Sequence, residues 1–203
     1  MINFDIPEMI FLNTAWMKHY RGITKDDRPM HGGEYIKDNV FGSEIFNFLP
    51  YNGDLYGYVQ PPRGGNAHPR GVINIERLGA GWLDDWIGGI LVVWVARSEA
   101  LGSVIVGWYK DATVYREVQP APVHSNRLYD GEELDYYIKT KEANGVLLPI
   151  KNRTFQIPRG RGGMGQANTW YADQENNEIF KSKVVEYIEN YANTYSTHDT
   201  RHF

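Results

Sequence analysis

Hydrophobic and polar positions alternate along this chain mostly on the short period of strands, with one long helical stretch at its end. Residues 9–13 form an apolar run ending in Asn13-Thr14, which predicts a buried first strand, with Thr14 capping a brief helical turn that carries Trp16, His19 and Tyr20. Residues 22–42 are rich in Gly, Asp and Lys without sustained period and read as a functional loop, with one helical turn near residues 35–38. Strand candidates follow at residues 45–48, 56–60 and 71–77, separated by the Asn52-Gly53 hairpin signal and by Pro61-Pro62-Arg63-Gly64-Gly65.

The densest pattern lies at residues 89–96 and 103–110, two Val-, Ile- and Trp-rich runs joined by a turn through residues 98–102. Because residues 90–95 are apolar throughout, that strand should lie mid-sheet, covered on both faces. Residues 113–117 predict another short strand, 131–138 a strand or helix, and 154–157 an edge strand before Pro158. From 177 to 195, apolar residues recur at helical spacing, predicting an amphipathic helix that packs on the sheet or leads to a partner domain. Residues 196–203 read as a frayed tail or linker. The expectation is an α/β (α+β) recognition domain over residues 1–175, built on a strongly bent mixed sheet or barrel with peripheral helices, and a long C-terminal helix and tail over 176–203.

Composition narrows the chemistry. The 203 residues include no cysteine, which removes disulfide scaffolds, thiolate-bound zinc, iron–sulfur clusters and cysteine nucleophiles. A formal charge of −4 argues against a uniformly basic surface but allows a local basic groove. No apolar run approaches the ~20 residues of a membrane span, and the N-terminus lacks a secretory pattern, so the expectation is a cytoplasmic protein with no membrane partner. Nucleophile elbow, Walker loop, His-Glu-x-x-His and dinucleotide fingerprint are all missing. The acidic pairs Asp26-Asp27, Asp84-Asp85 and Glu132-Glu133 sit in turn-like surroundings and read mainly as solvated surface. Glu133, Asp135, Lys139 and Lys141 are the best set for a metal-dependent nuclease. No catalytic residue, metal or cofactor is expected.

Two features suit nucleic acid. The segment Pro158-Arg159-Gly160-Arg161-Gly162-Gly163-Met164-Gly165-Gln166 offers backbone N–H groups and bidentate guanidinium groups to phosphate, or is a plain surface turn. Aromatic residues make up 14% of the chain. Trp94 belongs in the core, whereas Trp16, Trp82, Trp86, Trp108, Tyr109 and Trp170 sit at strand ends or beside turns, where flat rings stack on bases.

An apolar strand running into a tryptophan-bearing turn (Phe11-Leu12-Asn13-Thr14-Ala15-Trp16), followed by the pair Ile90-Leu91-Val92-Val93-Trp94-Val95 and Val104-Ile105-Val106-Gly107-Trp108-Tyr109, resembles the PUA-like group that includes EVE, YTH and ASCH domains. The resemblance covers residues 9–120. The 22–42 loop and the hairpin around residues 51–58 exceed what a minimal domain of that group needs. The resemblance implies a reader of modified bases, often the recognition module of a modification-dependent restriction enzyme whose nuclease lies in another domain or subunit. It implies a ligand pocket walled by Trp16 and by Trp108 or Tyr109. Asn13 is the candidate for hydrogen bonds to the base edge, and Lys18, His19, Arg21, Lys110, Arg116, Arg159 and Arg161, with Gly162, are candidates for holding flanking phosphates. The expected partner is DNA carrying a flipped methylated or hydroxymethylated base; an RNA-binding module and a nuclease using the Glu133 region are the alternatives.

Overall fold

The computed structural model describes residues 6–30, 42–62 and 70–196. Its frame is a mixed α/β fold, a large mixed sheet with one long helix at the C-terminal end. The central strands are β1 (Met9–Thr14), β4 (Trp86–Ser98) and β5 (Gly102–Gln119). β1 runs parallel to β4, with Met9 opposite Leu91 and Thr14 opposite Ala96, while β4 and β5 form a long antiparallel hairpin. The outer edge of β5 takes two partners in line: β9 (Gly145–Leu147) beside Gly107–Tyr109 and β8 (Tyr136–Lys141) beside its C-terminal half. Beyond β8 lie β3 (Asp54–Gly57) and β2 (Pro50–Tyr51), and β10 (Thr169–Trp170) flanks β1. The path runs open from β10 to β2 and does not close into a barrel. A separate small ribbon pairs β6 (Leu128–Tyr129) with β7 (Glu132–Glu133).

β4 is apolar throughout its middle because it is buried on both faces. Ile90, Val92, Trp94 and Ala96 face one core, which is roofed by irregular segments carrying Tyr20, Phe46, Phe48, Val59 and Ile75. Leu91, Val93 and Val95 face a second core under α1 (Glu178–Ser196), through Val184, Val185 and Ile188. A register shift opposite Trp94 and Val95 changes the phase of β5, so Trp108 points to the helix and Tyr109 to the other core. Gly107 sits at this point because a Cβ there would meet the Val146 carbonyl and the Phe48 ring.

The first strand, the central hairpin and the helix lie where the pattern places them. Asn52 and Gly53 turn the β2–β3 hairpin with φ of 50° and 77°, the backbone that an Asn-Gly pair tolerates best. Other elements differ. Residues 45–48 take in the end of a 3₁₀ turn (Ser43–Phe46) and the turn after it, and residues 71–77 form coil entering a 3₁₀ turn (Ile75–Leu78). Both segments are apolar because they roof a core, a role that needs burial but no ladder. The strand expected at 56–60 is β3, ending at Gly57, and the one at 113–117 is the far half of β5. Residues 131–138 divide between β7 and the start of β8. The strand expected at 154–157 makes a single bridge, Gln156 to Val104. Trp16 lies in a two-residue bridge with Met30 rather than a helical turn, and Thr14 ends β1 instead of capping a helix. The turn expected near 35–38, part of the proline-glycine break at 61–65 and the tail from 197 lie outside the described residues. Among the described residues no helix is long and apolar enough to cross a membrane.

Trp108 is 1% exposed and packs edge-on to Tyr191 at 5.4 Å and Tyr187 at 6.3 Å. Trp108→Ala is expected to cost about 3–5 kcal/mol of folding stability, read from urea unfolding midpoints, whereas Trp82→Ala, at a residue 78% exposed, shifts stability by under about 0.5 kcal/mol.

Candidate nucleic-acid interface

Where β1 ends, the chain enters a loop held by groups that reading along the sequence does not connect. Ala15 N–H donates to Glu44 Oε1 at 3.1 Å, and Trp16 and Met30 exchange backbone hydrogen bonds at 3.0 Å in both directions, closing residues 16–30 into a loop. Inside it the Asp27 carboxylate accepts the N–H groups of Lys18 and His19, each at 2.7 Å. Tyr20 adopts φ 52° and its hydroxyl donates to the Ala15 carbonyl. Burial pushes the Tyr20 hydroxyl far above the usual tyrosine range, so it stays a proton donor.

Arg153 locks this loop from outside. It is 1% exposed, and its guanidinium donates to the carbonyls of Leu148 (2.9 Å), Met17 (2.6 Å) and Lys18 (2.8 Å). The same group lies 4.9 Å from the centre of the Trp16 ring. Burial draws its pKa down, partly opposed by Tyr20 and Asp27.

The result is a cavity of about 270 Å³ bounded by Trp16, Met17, Met30 and the loop from Lys25 to Arg28, with Lys18 at its rim. That is near the lower end of the ~300–1,000 Å³ seen for small-molecule clefts, suited to one ring system. Trp16 is half-buried, while Lys18, Lys25 and Arg28 are exposed. Residues 16–30 hold four Lys or Arg and two Asp, in a chain whose formal charge is −4. Of the two aspartates, Asp27 is buried and spent on backbone N–H groups. The pocket thus joins a flat ring to a local excess of positive charge.

Of the expected cage, only Trp16 lines this cavity. Trp108 lies under α1 and Tyr109 in the opposite core, edge-on to Trp94 at 5.3 Å and Phe48 at 5.4 Å, so neither forms a wall with Trp16. The strand-end position that suggested a pocket is mid-strand, because β5 runs on to Gln119. Asn13 is half-buried and its side-chain amide donates to Asn168 Oδ1 at 3.3 Å.

The phosphate candidates also scatter. Lys18 is at the cavity, and exposed His19 adjoins it. Arg21 uses Nε on the Phe48 carbonyl. Lys110 pairs with Glu189 of the helix at 2.7 Å. Arg116 pairs with Glu76 and clasps the Gly81, Trp82 and Asp84 carbonyls. Arg159 donates to Gly165 O across its own loop. In that glycine segment the N–H groups of Gly160, Gly163 and Met164 bond inward to Met164, Gly160 and Pro158, around a buried Met164 side chain, which removes them from a phosphate cradle. Gly162 faces Asn176, and Arg161 is exposed.

The nuclease set is dispersed among ion pairs, Asp135 with Arg70 and both lysines with Asp54, and Glu133 is exposed on β7. Among the described residues no three His, Asp or Glu side chains group as metal ligands. Lys25, Arg28 and Arg153 escaped the sequence reading. The first two carried a signal, the local basic excess around Trp16; Arg153 carried none.

No family model matches the chain, and no curated protein or solved structure matches it.

Arg153→Met is expected to leave the buried carbonyls of Leu148 and Met17 and the part-buried one of Lys18 without their donor, at about 1–3 kcal/mol for each buried group left unsatisfied. Thermal melts should fall well below wild type, and Trp16 fluorescence, isolated by difference from Trp16→Phe, should change even where the variant is still folded.

Proposed function

We propose that this chain binds nucleic acid, holding one unstacked base against Trp16 while Lys18, Lys25 and Arg28 neutralise flanking phosphates. The supporting observation is the cavity itself: a half-buried tryptophan backed by a buried guanidinium and rimmed by cations on an otherwise acidic chain. Stacking on an aromatic ring is worth about 1–3 kcal/mol per base, which offsets much of the few kcal/mol that extruding a base costs. The fixed Arg153 backing means that the ring does not have to be ordered on binding.

The preferred ligand is DNA carrying a methylated or hydroxymethylated base, as the resemblance of residues 9–120 to PUA-like domains implies. On this reading the chain acts as a specificity module without catalysis of its own, and any nuclease belongs to another domain or subunit. One arrangement departs from that resemblance: the wall opposite Trp16 comes from Met17, Met30 and the 25–28 loop, not from the central hairpin.

The test is fluorescence anisotropy with duplexes carrying one modified base, their unmodified counterparts and matching RNA, at several salt concentrations. Trp16→Ala should weaken binding by about 1–3 kcal/mol while the chain still unfolds cooperatively. Lys25→Ala with Arg28→Ala should reduce the salt slope by about one to two. Equal affinity of wild type and Trp16→Ala would overturn the pocket, and tighter binding of RNA than of modified DNA would overturn the ligand assignment.

A further inference from the structure

β4 begins before β1 does. Its first paired residue on the β1 side is Leu91, whose N–H donates to Glu8 O, so Trp86–Gly89 project past the parallel neighbour. On the other side this stretch is paired: Trp86 opposes Tyr115, Ile87 opposes Val114, and Arg116 N–H donates to Asp85 O at 2.8 Å. In an antiparallel ladder, backbone groups alternate in direction. Residues 85 and 87 therefore turn theirs toward β5, and Trp86 and Gly88 turn theirs outward, where β1 supplies no partner.

This short open edge carries no proline, no lysine and no covering segment among the described residues; its one irregularity is a register shift between Ile87 and Ile90, where Gly89 takes φ 75°. Instead it bears Gly88 and Gly89, both exposed, and a Cβ at Gly89 would meet nothing within 4 Å. Around it stand Trp82, Leu83 and Trp86, which are 78%, 72% and 56% exposed. Contiguous large apolar side chains at this exposure mark interaction surfaces. They are also presented rigidly: the Arg116 guanidinium holds the carbonyls of Gly81, Trp82 and Asp84, and Asp84 Oδ2 accepts Gly81 N–H at 2.7 Å. The apolar tips are thus fixed before any partner arrives, which lowers the entropy cost of docking.

Charge identifies the class of partner. Asp84 and Asp85 lie at one end of the open stretch and Glu8 at the other, all exposed, while the nearby cations Arg116 and Arg77 are engaged by Glu76 and Asp173. A negative rim repels phosphate, so this surface, at the opposite end of β4 from the Trp16 loop, is no extension of the nucleic-acid site.

We propose that Trp86–Gly89 is a docking edge for an extended, basic segment of a partner protein, which adds as a strand to β4 and rests its apolar side chains on Trp82, Leu83 and Trp86. Main-chain hydrogen bonds to Trp86 and Gly88 supply the pairing, and Lys or Arg side chains of the segment meet Glu8, Asp84 and Asp85. The proposal is independent of the nucleic-acid reading.

The probe is a peptide alternating lysine and valine, titrated into the full chain and followed by calorimetry and amide NMR. Controls are the same peptide N-methylated at alternate residues and a glutamate–valine analogue. The lysine peptide should bind with shifts centred on residues 82–89, and N-methylation, which keeps the charge but removes strand pairing, should weaken it by about tenfold or more. Gly88→Pro and Trp86→Ala should weaken it similarly with unchanged melting temperatures. If either variant fails to fold, the N-methylated comparison on wild type still decides. Equal binding of the N-methylated peptide, equal binding of the glutamate peptide, or no binding overturns the proposal. So does sedimentation showing that wild type self-associates and Trp86→Ala does not, because the occupant would then be a second copy.

Discussion

Burial of the β4–β5 hairpin on both faces is the constraint from which the rest of this structure follows. Residues 90–96 are all buried, with side chains alternating between two cores, so each face needs its own cover. On one face the cover is α1, whose Val184, Val185 and Ile188 close over Leu91, Val93 and Trp108. On the other it is irregular chain from residues 17–20, 45–49, 58–59 and 73–80, which brings apolar side chains without adding strands. With the middle of the hairpin consumed by packing, a site can form only at its ends, on loops that the sheet positions.

Loops that cover a core without forming a ladder leave backbone groups to satisfy, and here buried guanidinium groups do this. Arg153 ties the loop after β1 to the segment following β9. Arg127 plays the matching part near β3, donating to the carbonyls of Phe46, Tyr56 and Leu134, with burial lowering its pKa to about 10. Among the described residues neither has a carboxylate as a hydrogen-bond partner; both are bound by carbonyl oxygens, an arrangement that fixes chain path more than it adds stability. The same Arg153 group also backs the Trp16 ring, so on the proposed reading the requirement of loop satisfaction serves binding as well. Charge divides along the central strands in the same way, with cations around Trp16 at the C-terminal end of β1 and carboxylates around Trp82 and Trp86 at the N-terminal end of β4.

Much of the frame was legible in the sequence. The apolar run at 9–13, the doubly apolar strand at 90–95 and the helical spacing from 177 each carry enough periodic residues to name an element, and Asn52-Gly53 has the backbone preference that its turn needs. The cover on the non-helical face was not legible: Ile45, Phe46 and Ile73 are apolar for burial alone and imitate short strands. The face taken by Trp108 was hidden by a register shift that moves one residue out of alternation, and this converted an expected pocket wall into core. The site was half legible. Trp16 stood out as an aromatic in a turn beside basic residues, but Asp27 looked like a solvated acid and Arg153 drew no reading at all, because what defines them is contact made only in the folded chain.

The most direct test of this division between core and site is the indole N–H spectrum of the six tryptophans, assigned by single substitutions to phenylalanine and followed while a duplex with one modified base is titrated in. The Trp16 resonance should shift progressively with added duplex while those of Trp94 and Trp108 stay in place. Movement of the Trp108 resonance with Trp16 unchanged would contradict the account, since it would put the ligand against a side chain sealed beneath the helix.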